Sequence, residues 1–253
     1  MPRGKISDVT NARSWDRIAE QHHAEHPIST DVVSYGPDMP SERELRILGM
    51  ADLAGKRVLE LGCGVGASAI ALARAGAKCM AIDASSAQLA VAKRLATEAE
   101  VRVEWRHGDL ADLAYLSADS VDLVFSAFAV AEVADLGRVL RQVHRVLKAG
   151  APFVVSYEHP LALATAETVG SGPASGERRP YVRRPYHDAG PVTILRHGEP
   201  FTLYPRTVAE VFMSFVRTGY RVDVVVEPPS LGPGADGPAL VPAGIVWRAR
   251  KER

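Results

Sequence analysis

Residues 57–67 read R-V-L-E-L-G-C-G-V-G-A, and the next apolar run, C-M-A-I-D, stops at the acid Asp83. Three kinds of residue here are suited to chemistry. Glu60 is a carboxylate within an otherwise apolar run (Val58, Leu59, Leu61). Gly62, Gly64 and Gly66 supply backbone that turns sharply and lies against a ligand, where a Cβ would collide with it. Asp83 follows about 20 residues after the first glycine and can accept both hydroxyls of a ribose. The helical pattern A-S-A-I-A-L-A-R-A lies between them. A strand, a tight turn, a helix and a neighbouring strand ending in an acid form the layout of an adenosine-binding βαβ unit.

The glycines alone leave the ligand open, since Gly62-x-Gly64-x-x-Ala67 also satisfies the dinucleotide fingerprint of dehydrogenases. Three details favour a different ligand. Glu60, two residues before Gly62, would repel a pyrophosphate and attract an ammonium or sulfonium. No Lys or Arg lies between Val58 and Ala73 to neutralise a phosphate, and the chain has no Tyr-x-x-x-Lys hydride-transfer pair. A ligand with cationic centres, a ribose and an adenine fits: S-adenosylmethionine. A P-loop is excluded, because no Gly-Lys-Ser/Thr occurs.

Further segments follow in order. The E-L-G-C-G-x-G stretch resembles motif I of the Rossmann-like S-adenosylmethionine-dependent methyltransferases. His107-Gly108-Asp109-Leu110 is similar to that family's loop after strand 3, and Ser120 to Ser126 to its strand 4. Leu136 to Gly150 is similar to its following helix and R-V-L-K-P-G-G turn. Trp15-Asp16-x-Ile18-Ala19-x-x-His22 resembles its amino-terminal Y-D-x-x-A-x-x-Y segment, which folds over the cofactor. Ala149-Gly150-Ala151 replaces Pro-Gly-Gly, and His22 replaces the second Tyr. The resemblance covers residues 15–158 well and 205–250 more loosely. It implies a cofactor site of Trp15, Glu60, Gly62, Gly64, Gly66, Asp83, Ala84, Gln88, Asp109, Leu110 and Ser126, with Asp109 on the adenine amino group. It implies S-adenosylmethionine as cofactor and S-adenosylhomocysteine as product.

Strands are expected near 57–61, 78–82, 101–106, 121–126 and 151–157, and helices near 66–75, 86–99 and 136–148. Apolar runs alternating with helical patterns predict an α/β fold whose parallel sheet is covered on both faces. Ahead of the sheet, Ser14 is expected to cap a helix over 15–24. Ser41-Glu42-Arg43-Glu44 reads as a capping box opening a second helix with Leu45, Leu48 and Met50 on its apolar side. After strand 5, residues 159–204 are rich in Gly and Pro, notably 170–176, and read as a lid or a partly disordered segment. A strand-like run returns at Val192 to Arg196. A helix over 208–218 and strands at 220–227 and 244–251 follow. In the resembled family this pair completes a seven-stranded Rossmann-like sheet, mostly parallel with an antiparallel carboxyl-terminal strand. The expected organisation is an amino-terminal helical lid segment (1–54), a cofactor-binding core (55–158), an insertion over the acceptor (159–204) and a carboxyl-terminal helix and strand pair (205–253).

The 253 residues balance 30 Lys and Arg against 30 Asp and Glu, so no net field draws the chain to nucleic acid or an anionic membrane. The run 177–184 (E-R-R-P-Y-V-R-R) reads as a solvated loop. Two cysteines are too few for a disulfide framework, so a reducing cytoplasm is the default expectation. No apolar run approaches ~18 residues, and no signal-peptide core is evident. A soluble cytoplasmic protein is expected, with a homodimer as an option.

Methyl transfer from a sulfonium requires mainly in-line placement of an acceptor lone pair and exclusion of water. An amine must be presented neutral, a hydroxyl benefits from a base, and a carboxylate needs none. Tyr157-Glu158-His159-Pro160 stands at the carboxyl end of strand 5, the edge where open α/β sheets bind ligands, and His159 is the candidate base. His22, Glu132, Tyr157, Phe201 and Tyr204 are candidate acceptor contacts, while Arg183, Arg184, Tyr186 and His187 are a weaker group for an acidic acceptor. Phe212 and Phe215 are expected in the core. His22 and His26 share a helix face, but Pro27 ends that helix and no Cys or carboxylate completes a site, so no metal is expected. The reading is a methyltransferase for a small organic acceptor, by O- or N-methylation. Its rivals are a macromolecular methyltransferase, a catalytically silent cofactor-binding module and, more distantly, an NAD-dependent oxidoreductase.

Overall fold

A computed structural model describes residues 5–165, 182–231 and 241–252, and the side chains from residue 11 onward. The Gly-rich run 170–176, residues 177–181 of the basic run and the loop 232–240 lie outside the described residues.

Seven strands form one sheet in the order β3-β2-β1-β4-β5-β9-β8: β1 (Arg57–Leu61), β2 (Lys78–Asp83), β3 (Val103–His107), β4 (Leu123–Ala127), β5 (Pro152–Glu158), β8 (Tyr220–Val226) and β9 (Gly244–Lys251). The first five run parallel, and β9 lies antiparallel to both β5 and β8. The chain order reverses between β1 and β4, so a crevice forms beyond their carboxyl ends. Alternate residues sort to the two faces. Leu59, Leu61, Phe153, Val155 and Trp247 pack with α5 (Leu136–Val146) and α7 (Val208–Arg217). Val58, Phe125, Val154 and Val246 pack with α3 (Ala67–Arg74), Val33 and Tyr35.

Local signals explain the helix boundaries. Asp135 caps α5 by accepting from the Arg138 amide (2.8 Å), and Leu136, Val139, Leu140, Val143 and Val146 form its buried stripe. Thr207 and Glu210 make a reciprocal capping box at the start of α7. Ser85 caps α4 (Ser86–Glu98).

Four expectations need correction. The first helix, α1, runs from Lys5 to Glu25, and Ser14 is within it; its hydroxyl donates to the Pro200 carbonyl (2.8 Å) instead of capping. The capping box at Ser41 is present, but α2 is only Glu42–Leu45 and excludes Leu48 and Met50. Buried Glu42 accepts from the Ile47 (2.9 Å) and Leu48 (3.0 Å) amides, and Arg46 turns left-handed (φ 52°), so the chain leaves the helix. Part of the insertion is ordered as a hairpin, β6 (Val192–Arg196) with β7 (Glu199–Leu203), besides the short α6 (Pro160–Thr165). Phe215 is buried as expected, whereas Phe212 is 43% exposed.

α1 bridges these parts. On one side Asp16 accepts from the Ser85 hydroxyl (2.7 Å) and Ala87 amide (3.0 Å) at the start of α4. On the other, Asn11 pairs with the Thr202 backbone, donating to its carbonyl (2.8 Å) and accepting from its amide (2.8 Å). The helix therefore spans the ligand edge from β2 to the hairpin.

Candidate active site

The three motif glycines are all left-handed, at φ 64°, 53° and 72° for Gly62, Gly64 and Gly66. They differ in what a Cβ would meet. At Gly62 it would lie 2.1 Å from the Ala129 Cβ and at Gly66 2.4 Å from the Trp105 ring, so these two serve packing. At Gly64 the nearest atom is Gln88 Oε1, at 3.7 Å. Gly64 alone faces open space.

The polar groups around that space are incompletely satisfied. Glu60 is 4% exposed, and its Oε2 has no partner; neither has Oε1 of Gln88, also 4% exposed. Burial pushes the Glu60 carboxyl up to about 8, against the Ala69 amide in the first turn of α3, so it is largely protonated at neutrality. Asp83 is half-buried; its Oδ2 accepts from the Gly64 amide (2.8 Å) and its Oδ1 from the Ser85 amide (2.8 Å). Each of these oxygens keeps a second lone pair. Burial raises the Asp83 carboxyl, and those two amides oppose it. Ala84 is exposed beside it, its carbonyl 2.9 Å from His107 Nε2. Leu110 lies near Gly62, and exposed Asp109 accepts from the Ala111 amide (2.7 Å). Ser126 is wholly buried, and its hydroxyl donates to the Leu61 carbonyl (2.9 Å). It fixes β1 against β4 and does not line the site, contrary to expectation.

A second polar group lies at the ends of β4 and β5. Arg196, from the hairpin, donates to Glu132 Oε1 (3.1 Å) and Glu158 Oε1 (3.1 Å) and stacks over Phe201 (5.0 Å) and Trp15 (5.4 Å). Glu132 also accepts from Asn11 (3.0 Å) and the Trp15 indole (3.3 Å). Trp15 packs on Phe201, itself fully buried, with centroids 4.7 Å apart. Trp15, Glu132 and Phe201 thus form the joint between α1, the hairpin and the sheet edge. Tyr157 and Tyr204 line a narrow cavity with Leu163, Arg206 and Glu158. Burial pushes Glu158 up to about 7 despite Arg196, and its Oε2 has no partner.

Both ring nitrogens of His159, the expected base, are already engaged. It is 3% exposed; its Nδ1 accepts from the Leu161 amide (3.1 Å), so Nε2 carries the proton and donates to Glu227 (2.8 Å). Both nitrogens hold the turn into α6. Glu158, one residue earlier, is the titratable group that the sequence reading passed over. His22 lies away from the cavity, 2.9 Å from His197 Nε2. Burial first, then His26 and His197, lower it to about 4. Arg184 closes its own turn through Asp188 and Gly190, and the Tyr186 hydroxyl accepts from the Val208 amide, so neither lines the cavity. A separate cavity of about 800 Å³ opens on the amino-terminal halves of β1–β3 and is lined by none of the candidate site residues.

The comparisons add to this geometry. A family described as "Methyltransferase domain" matches residues 59–155. A ubiquinone biosynthesis O-methyltransferase of Xanthomonas oryzae pv. oryzae is 33% identical over 154 residues, covering 60% of this chain and 58% of the relative. An S-adenosylmethionine dependent methyltransferase structure from Mesorhizobium loti superposes with a TM-score of 0.65 at 27% identity, over 82% of this chain and 97% of that one. Residues 59–155 thus match a methyltransferase domain, on a fold shared with an S-adenosylmethionine dependent methyltransferase. The seven-stranded sheet is the one expected for Rossmann-like methyltransferases, a class whose cofactor is S-adenosylmethionine. The [4+2]-cyclase SpnF shares the fold over 97% of this chain (TM-score 0.63, 18% identity), so the fold also carries other chemistry. The chain spans 58% of the length of the curated O-methyltransferase quoted above.

The residues present fit this cofactor. The buried, unpartnered Glu60 and Gln88 oxygens, the free lone pairs of Asp83 and the open space over Gly64 are the features that an ammonium, a ribose and a close backbone approach require. Asp83→Ala should therefore weaken S-adenosylhomocysteine binding ~30-fold or more, since charge-assisted hydrogen bonds contribute about 1.5–3 kcal/mol each. Calorimetric affinity within threefold of the parent would remove Asp83 from the ribose site.

Proposed function

We propose that the protein transfers a methyl group from S-adenosylmethionine to a small organic acceptor bearing a hydroxyl or amine. When bound, the cofactor supplies a methyl carbon already activated by its sulfonium. Glu60 and Gln88 would hold its amino-acid end, Asp83 its ribose and the Asp109–Leu110 loop its adenine. Tyr157, Tyr204 and Leu163 would receive the acceptor, with Glu158 Oε2 as the atom that takes its proton. Trp15 and Arg196 would close the site from α1 and the hairpin.

One observation carries this reading. Glu158 is a carboxyl raised to about 7 with a free oxygen, in a narrow cavity at the sheet's ligand edge. A base poised near neutrality suits removal of a proton from a hydroxyl or an ammonium. The cavity holds only about 10 Å³ as it stands, so it must widen to admit an acceptor, and its enclosure favours a small one over a macromolecule.

The test is incubation with S-adenosylmethionine and a metabolite extract, followed by mass spectrometry. The expected result is a small molecule heavier by one CH2, formed in step with S-adenosylhomocysteine. Methyl label found only in protein or nucleic acid, or cofactor binding without any product, would replace this reading with one of its rivals. Two buried, unpaired cysteines, Cys63 and Cys79, support a cytoplasmic setting within the same proposal. No helix among the described residues is long and apolar enough to cross a membrane. The exposed Phe212, Met213 and Val216 on α7 support a homodimer.

A further inference from the structure

Three imidazoles from two distant segments converge beside α1, outside both the cofactor and acceptor positions. His22 lies in the last turn of α1. The His26 amide still donates to the His22 carbonyl (2.9 Å), so helical spacing persists one residue past the helix before Pro27. The third ring, His197, comes from the tip of the β6–β7 hairpin. One nitrogen from each of the three lies within 4.8 Å of the others, and His22 Nδ1 and His197 Nε2 are 2.9 Å apart. Ring centroids are separated by 5.1 Å (His22–His26), 5.1 Å (His22–His197) and 5.8 Å (His26–His197).

We propose that these three histidines form a binding site for a divalent transition cation of the zinc class, which latches the end of α1 to the hairpin. Zinc holds imidazole nitrogens at ~2.0–2.1 Å, which places the nitrogens of a tetrahedral site roughly 3.4 Å apart. The observed separations, from 2.9 Å to at most 4.8 Å, bracket that value. Small rotations of three side chains close the site without moving the backbone. An all-imidazole donor set selects zinc, copper, nickel or cobalt over calcium and magnesium, which take oxygen ligands.

The surroundings match what metal-bound histidine needs. With Nε2 of His197 directed at the cluster, its Nδ1 lies 3.4 Å from Glu25 Oε2. A carboxylate on the outer nitrogen fixes the tautomer and orientation of a ligating ring. His197 is rigidly presented: at φ 50°, followed by Gly198 at φ 78°, it forms a two-residue turn between the paired Arg196 and Glu199. His26 is exposed and gives the ion an entry path, with water free to complete the coordination. Arg196, which clasps Glu132 and Glu158, immediately precedes His197, so the latch would fix the arm that closes the acceptor side.

The experiment uses tag-free, chelator-treated full-length protein. Cobalt(II) is followed by its visible absorption and zinc by calorimetry, in the parent and in His22→Gln, His197→Asn and Glu25→Gln. His197→Asn removes a ligand while keeping the turn, because asparagine before glycine suits this left-handed geometry. One cation per chain is expected, with affinity falling at least ~100-fold in each histidine variant and ~10-fold in Glu25→Gln, which loses the carboxylate that orients His197. Zinc should raise the melting temperature of the parent and not that of His197→Asn. S-adenosylhomocysteine binding should persist in every variant, which keeps this proposal separate from the cofactor reading. An absence of stoichiometric binding, or binding that His197→Asn retains, would leave the cluster as hydrogen-bonded packing and overturn the site.

Discussion

Gly64→Val should abolish measurable cofactor binding, a loss of at least ~100-fold or about 2.7 kcal/mol, while the protein stays folded. The expectation rests on the contrast among the three motif glycines. A side chain at Gly64 meets no protein atom nearer than Gln88 Oε1 at 3.7 Å, so the fold suffers only the left-handed backbone (φ 53°). That strain is about 1–2 kcal/mol, or roughly 2–8 °C in melting temperature for a chain of this size. The valine would fill the space through which a ligand approaches the backbone. Gly66→Ala provides the control, because its Cβ would overlap the Trp105 ring and destabilise the protein with or without ligand. Circular dichroism and thermal melts with and without S-adenosylhomocysteine separate the two cases. Ligand stabilisation in Gly64→Val equal to that of the parent would place the cofactor elsewhere.

Glu158→Gln should lower turnover by ~10²-fold or more and leave cofactor affinity within threefold, as expected when a general base is lost. The sign of the pH dependence follows from its raised carboxyl. A base works when deprotonated, so parent activity should rise with pH through about 7, and the variant should lose that limb. Glutamine keeps a carbonyl to accept from Arg196, so the clasp with Glu132 largely survives. A reduction below ~3-fold with an unchanged pH profile would make Glu158 a structural partner of Arg196. In that case the acceptor would be one that needs no base.

The sheet was legible in the sequence because its strands are nearly continuous apolar runs bounded by glycines and charges. R-V-L-E-L and G-I-V-W-R-A-R-K match β1 and β9 to the residue. The clustering of Glu60, Gly64 and Asp83 was legible for the same reason: glycines and an acid at fixed spacing can be read without knowing where side chains point. Where direction mattered, the reading was weaker. His159 stands one residue past β5 and turns inward to Glu227, while Glu158 keeps its carboxyl at the edge. No local pattern distinguishes the two. The length of α2 depended on a tertiary event, the burial of Glu42 against the Ile47 and Leu48 amides. The third histidine was missed because His22 and His197 are 175 residues apart. Its signal was H-G between two alternating runs, which marks a hairpin turn. That turn carries His197 to α1.

The most direct test of the cofactor site exploits Glu60. Its folded-state carboxyl is raised from the ordinary 4.5 to about 8 by burial. Without ligand, the stability it lends is full below pH 4.5 and is lost as pH rises through about 8, on the order of 5 kcal/mol in all. An ammonium placed beside it favours the carboxylate and drives the proton off. Titration of the parent with S-adenosylhomocysteine near pH 7, in buffers of different ionisation enthalpy, should show one ligand bound per chain and close to one proton released. Glu60→Gln should bind more weakly and release none. Ligand binding without proton release, or release unchanged in Glu60→Gln, would contradict the placement of the cofactor's ammonium at Glu60, and absence of binding would contradict the site itself.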